Sequence, residues 1–280
     1  MNDFSCSSYG LVHFKCALCS WEYVMNLYFR IKTTVAITML ALASPLLKAA
    51  APGDDLIAKG EVFDEHLQAS EALQCFLPAE KLQPKNPHLL VCIARQYRHL
   101  MSDARSTGEK LKLGATALNY ARRAAAAGPD SSEAQLAPGI TYGKLLPLEG
   151  TGDQIEASRN IKVSCEKAIR LDPHNDLAWH VIGRWHRVVA DVGALKHALG
   201  SLIYGSLPTS TNEEAVKCFE KAIQINPSRP MHYIELGRTY AQMGRASEAR
   251  KVLEKGLSLR DTEKDDPETK RIGRQILATL

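Results

Sequence analysis

The chain has 280 residues, of which 45% are hydrophobic and 24% are charged, and these values are ordinary for a soluble folded protein. This length allows one elongated repeat domain or two globular domains. The formal net charge of +4 is modest. It does not indicate a nucleic-acid-binding protein, for which a clustered basic face and a pI above about 9 are typical. We therefore expect no nucleic-acid partner.

The N-terminal segment, residues 1–53, is predicted to be separate from the rest of the chain. Its apolar stretch 33–47 is flanked by basic residues, but it is broken by Pro45 and is shorter than the about 20 residues that a membrane span needs. Three alanines at 49–51 follow, as in some targeting sequences. Three interpretations stay open: a targeting sequence, a membrane anchor, or a disordered leader.

From residue 54 onward, small and large residues repeat at the spacing of the tetratricopeptide (TPR) unit, a helix–turn–helix of about 34 residues. The clearest copy consists of Tyr233, Leu236, Gly237, Tyr240, Ala249, Leu253 and Gly256. Small residues occupy the sites where the paired helices touch, since only Gly or Ala allows so close an approach. The closing prolines keep one phase with the next unit: Pro84, Pro129, Pro173 and Pro227. The pattern predicts an all-α, TPR-like right-handed superhelix of about five units over residues 54–280.

The first two units have recognisable helix ends and one predicted insertion. Asp54 is the predicted N-cap of the first helix, whose partner covers 70–79, and Asn86 followed by Pro87 opens the second unit. The join at 102–114 is longer than a minimal repeat permits and contains a Ser-Thr-Gly loop signal. We expect a loop insertion there.

The later units carry two more predicted insertions, at 146–152 and at 188–210. In the third unit Pro138 would tend to kink its helix. Thr211 and Glu214 have the spacing of a capping box after the second of these insertions. At the C-terminus, Asp266 is the predicted N-cap of a capping helix that ends near Leu280.

The seven cysteines do not form a disulfide pattern, because their number is odd and their spacing is scattered. A reducing compartment fits this composition best. Cys16 and Cys19 form a lone C-x-x-C, which without a second pair does not predict a zinc site. Four others fall at helical repeat positions and are predicted core residues: Cys75, Cys92, Cys165 and Cys218.

In a TPR-type superhelix the first helices line a concave groove, and two positions of each first helix, here called groove slots, face into it. The first slot holds Glu61, Arg95, Ile140, Arg184 and Arg238, and the second holds Asp64, Arg98, Gly143, Arg187 and Ala241. Arginine binds carboxylates and phosphates through two parallel hydrogen bonds, so the groove suits an acidic peptide or a lipid headgroup. The candidate ligand-binding residues are Arg95, Arg98, Lys144, His180, Arg184, Arg187 and Arg238. The alternative is that these arginines pair with acidic residues of adjacent helices, including Glu133, Asp176 and Glu235.

No sequence motif predicts an enzyme. The chain lacks an H-E-x-x-H motif, a phosphate-binding glycine loop and a nucleophile elbow. His174, His180 and His186 are six residues apart, which puts neighbours on opposite helix faces and prevents a shared metal. We expect no catalytic residue, no metal site and no cofactor.

The fourth and fifth units have features beyond the repeat itself. His180 to Trp185 form an H-x-x-G-R-W motif, which a long insertion and then Thr211 follow. In this arrangement the chain resembles the regulator of microtubule dynamics family, from about residue 54 to the C-terminus. The resemblance implies a TPR-like protein that associates with microtubules and spindle poles. It also implies that some members are tethered to mitochondria by an N-terminal segment and that some bind phospholipid.

These lines together predict a non-enzymatic, cytoplasmic adaptor that associates with microtubules, with acidic tubulin tails as ligands of the groove. Two alternatives remain: a phospholipid-binding or lipid-transfer module at an organelle membrane, and a generic TPR peptide-binding adaptor. The apolar insertion at 194–203 would line the lipid pocket in the first alternative. A mitochondrial or other organelle location, and any membrane contact, would depend on residues 1–53.

Overall fold

The computed structural model describes residues 51–192 and 209–280, and these form α-helices and one short 3-10 helix, without a strand. They belong to one compact unit, Ala50–Leu280. The helices are α1 Asp54–Glu65, α2 Ala69–Leu82, α3 Pro87–Asp103, α4 Thr107–Ala127, α5 Ser132–Leu145, α6 Thr151–Leu171, α7 Asp176–Ala190, α8 Asn212–Ile225, α9 Pro230–Gln242, α10 Ala246–Ser258 and α11 Asp266–Leu277. None of these helices has the length and apolar character that crossing a membrane requires.

The helices pack as consecutive pairs, α1 with α2 through α9 with α10, and α11 covers the last pair. This confirms the all-α, TPR-like superhelix with a C-terminal capping helix. The small residues lie where the pattern requires them. A Cβ added at Gly60 would lie 2.4 Å from the ring of Phe76, and one added at Gly183 would lie 2.9 Å from Phe219. Both phenylalanines are fully buried, so each of these two units closes over one large side chain.

Most of the predicted helix ends are confirmed, and two are shifted by one residue. The Asn86 side chain accepts a hydrogen bond from the Leu89 backbone N–H at 3.2 Å, and Thr211 and Glu214 form the reciprocal capping box. The N-cap of α1 is Gly53, whose φ of 95° suits glycine. The N-cap of α11 is Asp265, one residue before the predicted Asp266. The shift at α11 places the Asp266 carboxylate under the preceding turn, where it accepts backbone N–H groups.

The prediction of a loop at 102–114 is wrong. Helix α3 runs to Asp103 and α4 begins at Thr107, so the additional residues lengthen the two helices to 17 and 21 residues. The Ser-Thr-Gly signal is instead an N-cap, because Ser106 accepts a hydrogen bond from the Glu109 backbone N–H at 3.2 Å.

The other insertions differ in how far the structure describes them. Helix α5 continues through Pro138 from Ser132 to Leu145. The insertion at 146–152 is a 3-10 turn, Leu146–Leu148, followed closely by α6. Of the insertion at 188–210, residues 193–208 lie outside the described part of the chain, as do residues 1–50 with Cys16 and Cys19.

The segment between α10 and α11, residues 259–265, is called the C-terminal loop here. It reaches across the concave side to the second and third units. Asp265 accepts a hydrogen bond from the Ser102 hydroxyl at 2.9 Å and pairs with Lys144 at 2.6 Å. Lys264 pairs with Asp103 at 3.1 Å. The last and second units are therefore in direct contact across the groove.

Candidate functional site

The groove contains a cavity of about 500 Å³ that is lined by residues of α3, α5, α6, α7, the start of α9, the C-terminal loop and α11. Apolar side chains form much of its wall: Leu136, Ile140, Ile161, Val181, Val188 and Met231. Five of the seven candidate residues also line it: Arg95, Arg98, Lys144, His180 and Arg184. Arg187 and Arg238 lie beside it, in contact with Glu235. The repeat phase therefore brought together most of the residues that the sequence singled out.

At the C-terminal end of the groove, three arginines surround one buried carboxylate. This group is called the Glu235 cluster here. The nearest nitrogen–oxygen distances from Glu235 are 2.8 Å to Arg238, 3.2 Å to Arg187 and 3.6 Å to Arg184. The Glu235 side chain is only 5% exposed, whereas the Arg184 side chain is 49% exposed. Burial by itself would raise the pKa of Glu235, but the three guanidinium groups outweigh it and hold that pKa below its usual value.

At the N-terminal end, the balance of charge is the opposite. Arg95 lies between Asp64 at 3.2 Å and Glu133 at 3.3 Å, and His88 lies between Glu133 at 3.4 Å and Glu61 at 2.7 Å. We call these five residues the Arg95 cluster. Hydrogen bonding to Cys92, and then to Glu133, raises the pKa of His88 to about 11. Three carboxylates thus share one arginine and one histidine.

Between the two clusters, the cationic side chains Arg98 and Lys144 contact other groups of the protein. Arg98 is buried and donates to the Thr141 hydroxyl at 3.3 Å, and burial followed by the charge of Arg95 lowers its pKa to about 10. Burial also lowers the pKa of Lys144, and Asp265 offsets only part of this shift. His99 is 5% exposed, and among the described residues its Nδ1 has no hydrogen-bond partner. Burial and then Arg98 lower the pKa of His99 to about 3, so this ring is neutral.

His180 is part of a buried pair that the sequence did not reveal. Its Nδ1 lies 3.1 Å from Nδ1 of His232, and Nε2 of His232 lies 3.0 Å from Asp176. Burial, and then His232, hold the pKa of His180 well below its usual value. His180 therefore contributes a neutral ring to the cavity wall rather than a charge. His180 and His232 are 52 residues apart and meet only because α7 and α9 are neighbouring first helices.

The sequence profile of the family described as Regulator of microtubule dynamics protein 1-3 matches residues 56–280. The chain belongs to this family. Curated relatives include Regulator of microtubule dynamics protein 1 of Mus musculus, 25% identical over 237 residues that cover 84% of this chain and 77% of the relative. Protein 3 of Xenopus laevis is 26% identical over 203 residues, covering 72% of this chain and 44% of the relative. This chain thus spans less than half of that relative and about three quarters of the mouse protein.

A solved structure with a similar fold is TTC0263, a thermophilic TPR protein of Thermus thermophilus. It covers 81% of this chain and 99% of its own length, with a TM-score of 0.58 and 18% identity. At this identity the likeness supports the fold alone. It agrees with the pairing of helices described above.

The motif on which the family resemblance rested has a physical role at each of its last three residues. Gly183 allows α7 to approach Phe219 on α8. Arg184 belongs to the Glu235 cluster and lines the cavity. Trp185 is 5% exposed, and its ring N–H donates to the Ser158 carbonyl at 3.0 Å. The motif thus supplies a close contact between two helices through Gly183, a positive charge in the groove through Arg184, and a hydrogen bond to α6 through Trp185.

Proposed function

We propose that this protein is a non-catalytic, cytoplasmic adaptor that associates with microtubules by binding an acidic peptide segment at the Glu235 cluster. The observation that supports this most directly is the ratio of three guanidinium groups to one buried carboxylate. Such a cluster keeps a net positive charge and favours a second carboxylate. The relatives' names, which describe regulators of microtubule dynamics, agree with this proposal.

Within the cluster, Arg184 is the residue with the most capacity for a ligand. Arg187 and Arg238 hold Glu235 at shorter distances, and their side chains are 10% and 26% exposed. Arg184 is half-exposed, and its contact with Glu235 is the longest of the three. An incoming carboxylate would take both outer nitrogens of Arg184, while Arg187 and Arg238 keep the arginine cluster in place. Arg184 is therefore the proposed contact, and Arg187 and Arg238 are proposed positioning residues.

The C-terminal loop provides an internal precedent for carboxylate binding in this groove. Its Asp265 already pairs with Lys144, one of the candidate cations. An acidic ligand that extends from Arg184 towards Arg98 would meet this loop and would compete with Asp265 for Lys144. Acidic tubulin tails carry several carboxylates, so one tail has enough charge for both positions.

The proposal is tested by co-sedimentation of the full chain with polymerised tubulin. Replacement of Arg184 by Glu should weaken binding by about tenfold, equivalent to about 1.4 kcal/mol. The matched control is Lys217→Glu, the same change of charge at an exposed residue of α8 outside the cavity lining. Binding by the unaltered chain should fall as salt rises, because charges are screened over about 8 Å at physiological ionic strength.

Microtubules from which the acidic tails have been removed by proteolysis provide the second arm. We expect them to bind the unaltered chain as weakly as intact microtubules bind the Arg184→Glu variant. Equal pelleting of the two variants at low salt would remove the groove from the proposal. If the variants differ towards a synthetic acidic peptide but not towards microtubules, a generic peptide-binding adaptor is the better description.

The second candidate function is binding of a phospholipid. The apolar wall of the cavity, the cations at its edge and the Nδ1 of His99, which has no partner among the described residues, favour it. A headgroup phosphate would face Arg98 and Lys144 while an acyl chain followed the apolar wall. Native mass spectrometry of the purified chain checks this, and a lipid that co-purifies and is lost in a Val181→Glu variant would support it. Targeting to mitochondria or another organelle through residues 1–53 remains a proposal, which a fluorescent fusion with and without that segment would test.

A further inference from the structure

We propose that Glu61, His88 and Cys92 form a binding site for a divalent cation of the zinc class. Glu61 and His88 belong to the Arg95 cluster and Cys92 lies beside it, at the opposite end of the groove from the proposed peptide contact. The site does not depend on the proposed microtubule function. The three residues supply one oxygen, one nitrogen and one sulfur atom, all within 4.8 Å of one another.

The distances fit a tetrahedral ion. His88 and Cys92 are one turn apart on α3, and Nε2 of His88 lies 3.6 Å from Sγ of Cys92. Zinc bonds of about 2.0 Å to nitrogen and about 2.3 Å to sulfur put those two atoms about 3.5 Å apart at a tetrahedral angle, close to the observed distance. Oε1 of Glu61 lies 2.7 Å from the same Nε2. It would have to withdraw by only about 0.6 Å to become the third ligand.

A second carboxylate lies where histidine ligands of metals usually have one. Nδ1 of His88 faces Oε2 of Glu133 at 3.4 Å. A histidine that binds metal through one ring nitrogen commonly donates its other N–H to a carboxylate, which fixes the ring and increases its basicity. Glu133 is on α5 and Glu61 is on α1, so three separate helices would hold the ring in the orientation that the metal needs.

The surrounding charges and exposure favour an ion with an open position. Nη2 of Arg95 lies 4.0 Å from Sγ of Cys92 and donates to it. Cys92 is buried, whereas the side chains of His88 and Glu61 are 49% and 43% exposed. The fourth coordination position therefore faces solvent. Mixed sulfur, nitrogen and oxygen ligands select zinc-class ions over magnesium or calcium. On binding, the ion would displace the proton on Nε2 of His88 and the thiol proton of Cys92, and both protons would be released to solvent.

The test uses Co²⁺ as a spectroscopic substitute for Zn²⁺, because ligation of Co²⁺ by a thiolate gives an intense near-ultraviolet absorption band. The protein is the full chain with Cys16→Ser and Cys19→Ser, so that the C-x-x-C pair does not contribute. We expect one equivalent of Co²⁺ to produce the band and Zn²⁺ to abolish it. Cys92→Ser should remove the band, and the control Cys75→Ser, at a buried cysteine on α2, should keep it.

Two further variants separate ligation from folding. Glu61→Gln changes a half-exposed residue and should weaken Co²⁺ binding by at least about tenfold while the helical circular dichroism is unchanged. Glu133→Gln should weaken it by about tenfold or more, as for other carboxylates that orient a histidine ligand. If the folded protein gives no band, or if the band survives Cys92→Ser, the cluster is an ion-pair network only and the proposal is wrong.

Discussion

The two ends of the groove use the same repeat positions to reach opposite charges. Arg95 and Arg184 occupy the first groove slot of the second and fourth units. Arg95 is shared between Asp64 and Glu133, with Glu61 nearby on His88. Arg184 instead shares one carboxylate, that of Glu235, with two other arginines. The position in the repeat therefore determines where the side chain points. The acidic and basic residues of the neighbouring helices determine the sign of the local net charge.

This difference separates two kinds of ligand along one groove. An excess of carboxylate at the Arg95 cluster suits a cation, and an excess of guanidinium at the Glu235 cluster suits an anion. The C-terminal loop lies between them and uses one of its own carboxylates on Lys144. Four changes test how far this contrast holds.

The largest effect is expected from Glu235→Gln. It leaves three guanidinium groups around a neutral amide, and removal of one partner from a buried ion pair costs about 3–5 kcal/mol. Urea unfolding of the full chain measures this change in the free energy of unfolding. The control is Glu268→Gln, which removes one member of an exposed pair with Arg271 and should change stability very little. A loss as small as that of the control would mean that the Glu235 cluster is already solvated.

Lowering the pH should also destabilise the chain through the Glu235 cluster, by less than the Glu235→Gln substitution does. The pKa of Glu235 is lower in the folded chain than its ordinary value of 4.5, so the unfolded chain binds the proton more readily. The stabilisation is therefore complete above that ordinary value and is lost as pH falls towards the folded pKa. Urea unfolding between pH 6 and pH 3 should show a steeper decline for the unaltered chain than for Glu235→Gln. Parallel curves would contradict this assignment.

Asp265→Asn should make the net charge in the middle of the groove more positive. The change removes the loop carboxylate from Lys144 and leaves that cation available to a ligand. We expect affinity for a synthetic acidic peptide to rise by about fivefold, equivalent to about 1 kcal/mol. Fluorescence anisotropy measures this, with Asp261→Asn, a change elsewhere in the same loop, as the control. Unchanged affinity would mean that the ligand does not reach Lys144.

The smallest effect is expected at Gly143, the second groove slot of the third unit. A Cβ added there meets no atom within 4 Å, and the residue lines the cavity. Gly143→Arg should raise affinity for the acidic peptide by about twofold, and Gly143→Glu should lower it similarly, because both act through a partly screened charge. Each should also stabilise α5 slightly, since glycine is about 1 kcal/mol less favourable than alanine inside a helix. If both variants bind the peptide as tightly as the unaltered chain, the ligand contacts the Glu235 cluster and does not reach the third unit.

The fold was largely predictable because its determinants are local. Gly60 and Phe76, or Thr211 and Glu214, lie within one unit, and their spacing specifies which side chains meet. The one wrong loop arose from a signal with two meanings. A Ser-Thr-Gly stretch starts a turn in some chains, but here it caps a helix that is longer than the usual TPR helix.

For the candidate site, the sequence predicted which side chains face the groove, but not all of the residues with which they pair. The slots place three candidate arginines at one cavity, Arg95, Arg98 and Arg184, and Lys144 and His180 also line it. The sequence also allowed for internal pairing with Glu133 and Glu235, and these contacts are present. It carried no signal for Asp265, since that contact joins residues 163 positions apart, Ser102 and Asp265. His88 and Cys92, one turn apart on a single helix face, were visible in the sequence, but their third partner on α1 was not.

The contact of the C-terminal loop with Ser102 and Lys144 also changes how this chain should fold. Repeat proteins usually have interactions only between adjacent units, so their ends fray and their folding can start anywhere. Here the last unit is tied to the second by a contact between residues 163 positions apart, and contacts of such large sequence separation form more slowly than contacts between neighbouring units. We therefore expect this contact to form late in folding, after the individual units. Once it has formed, the terminal helix α11 is no longer an independent end, and its opening is coupled to that of the central units.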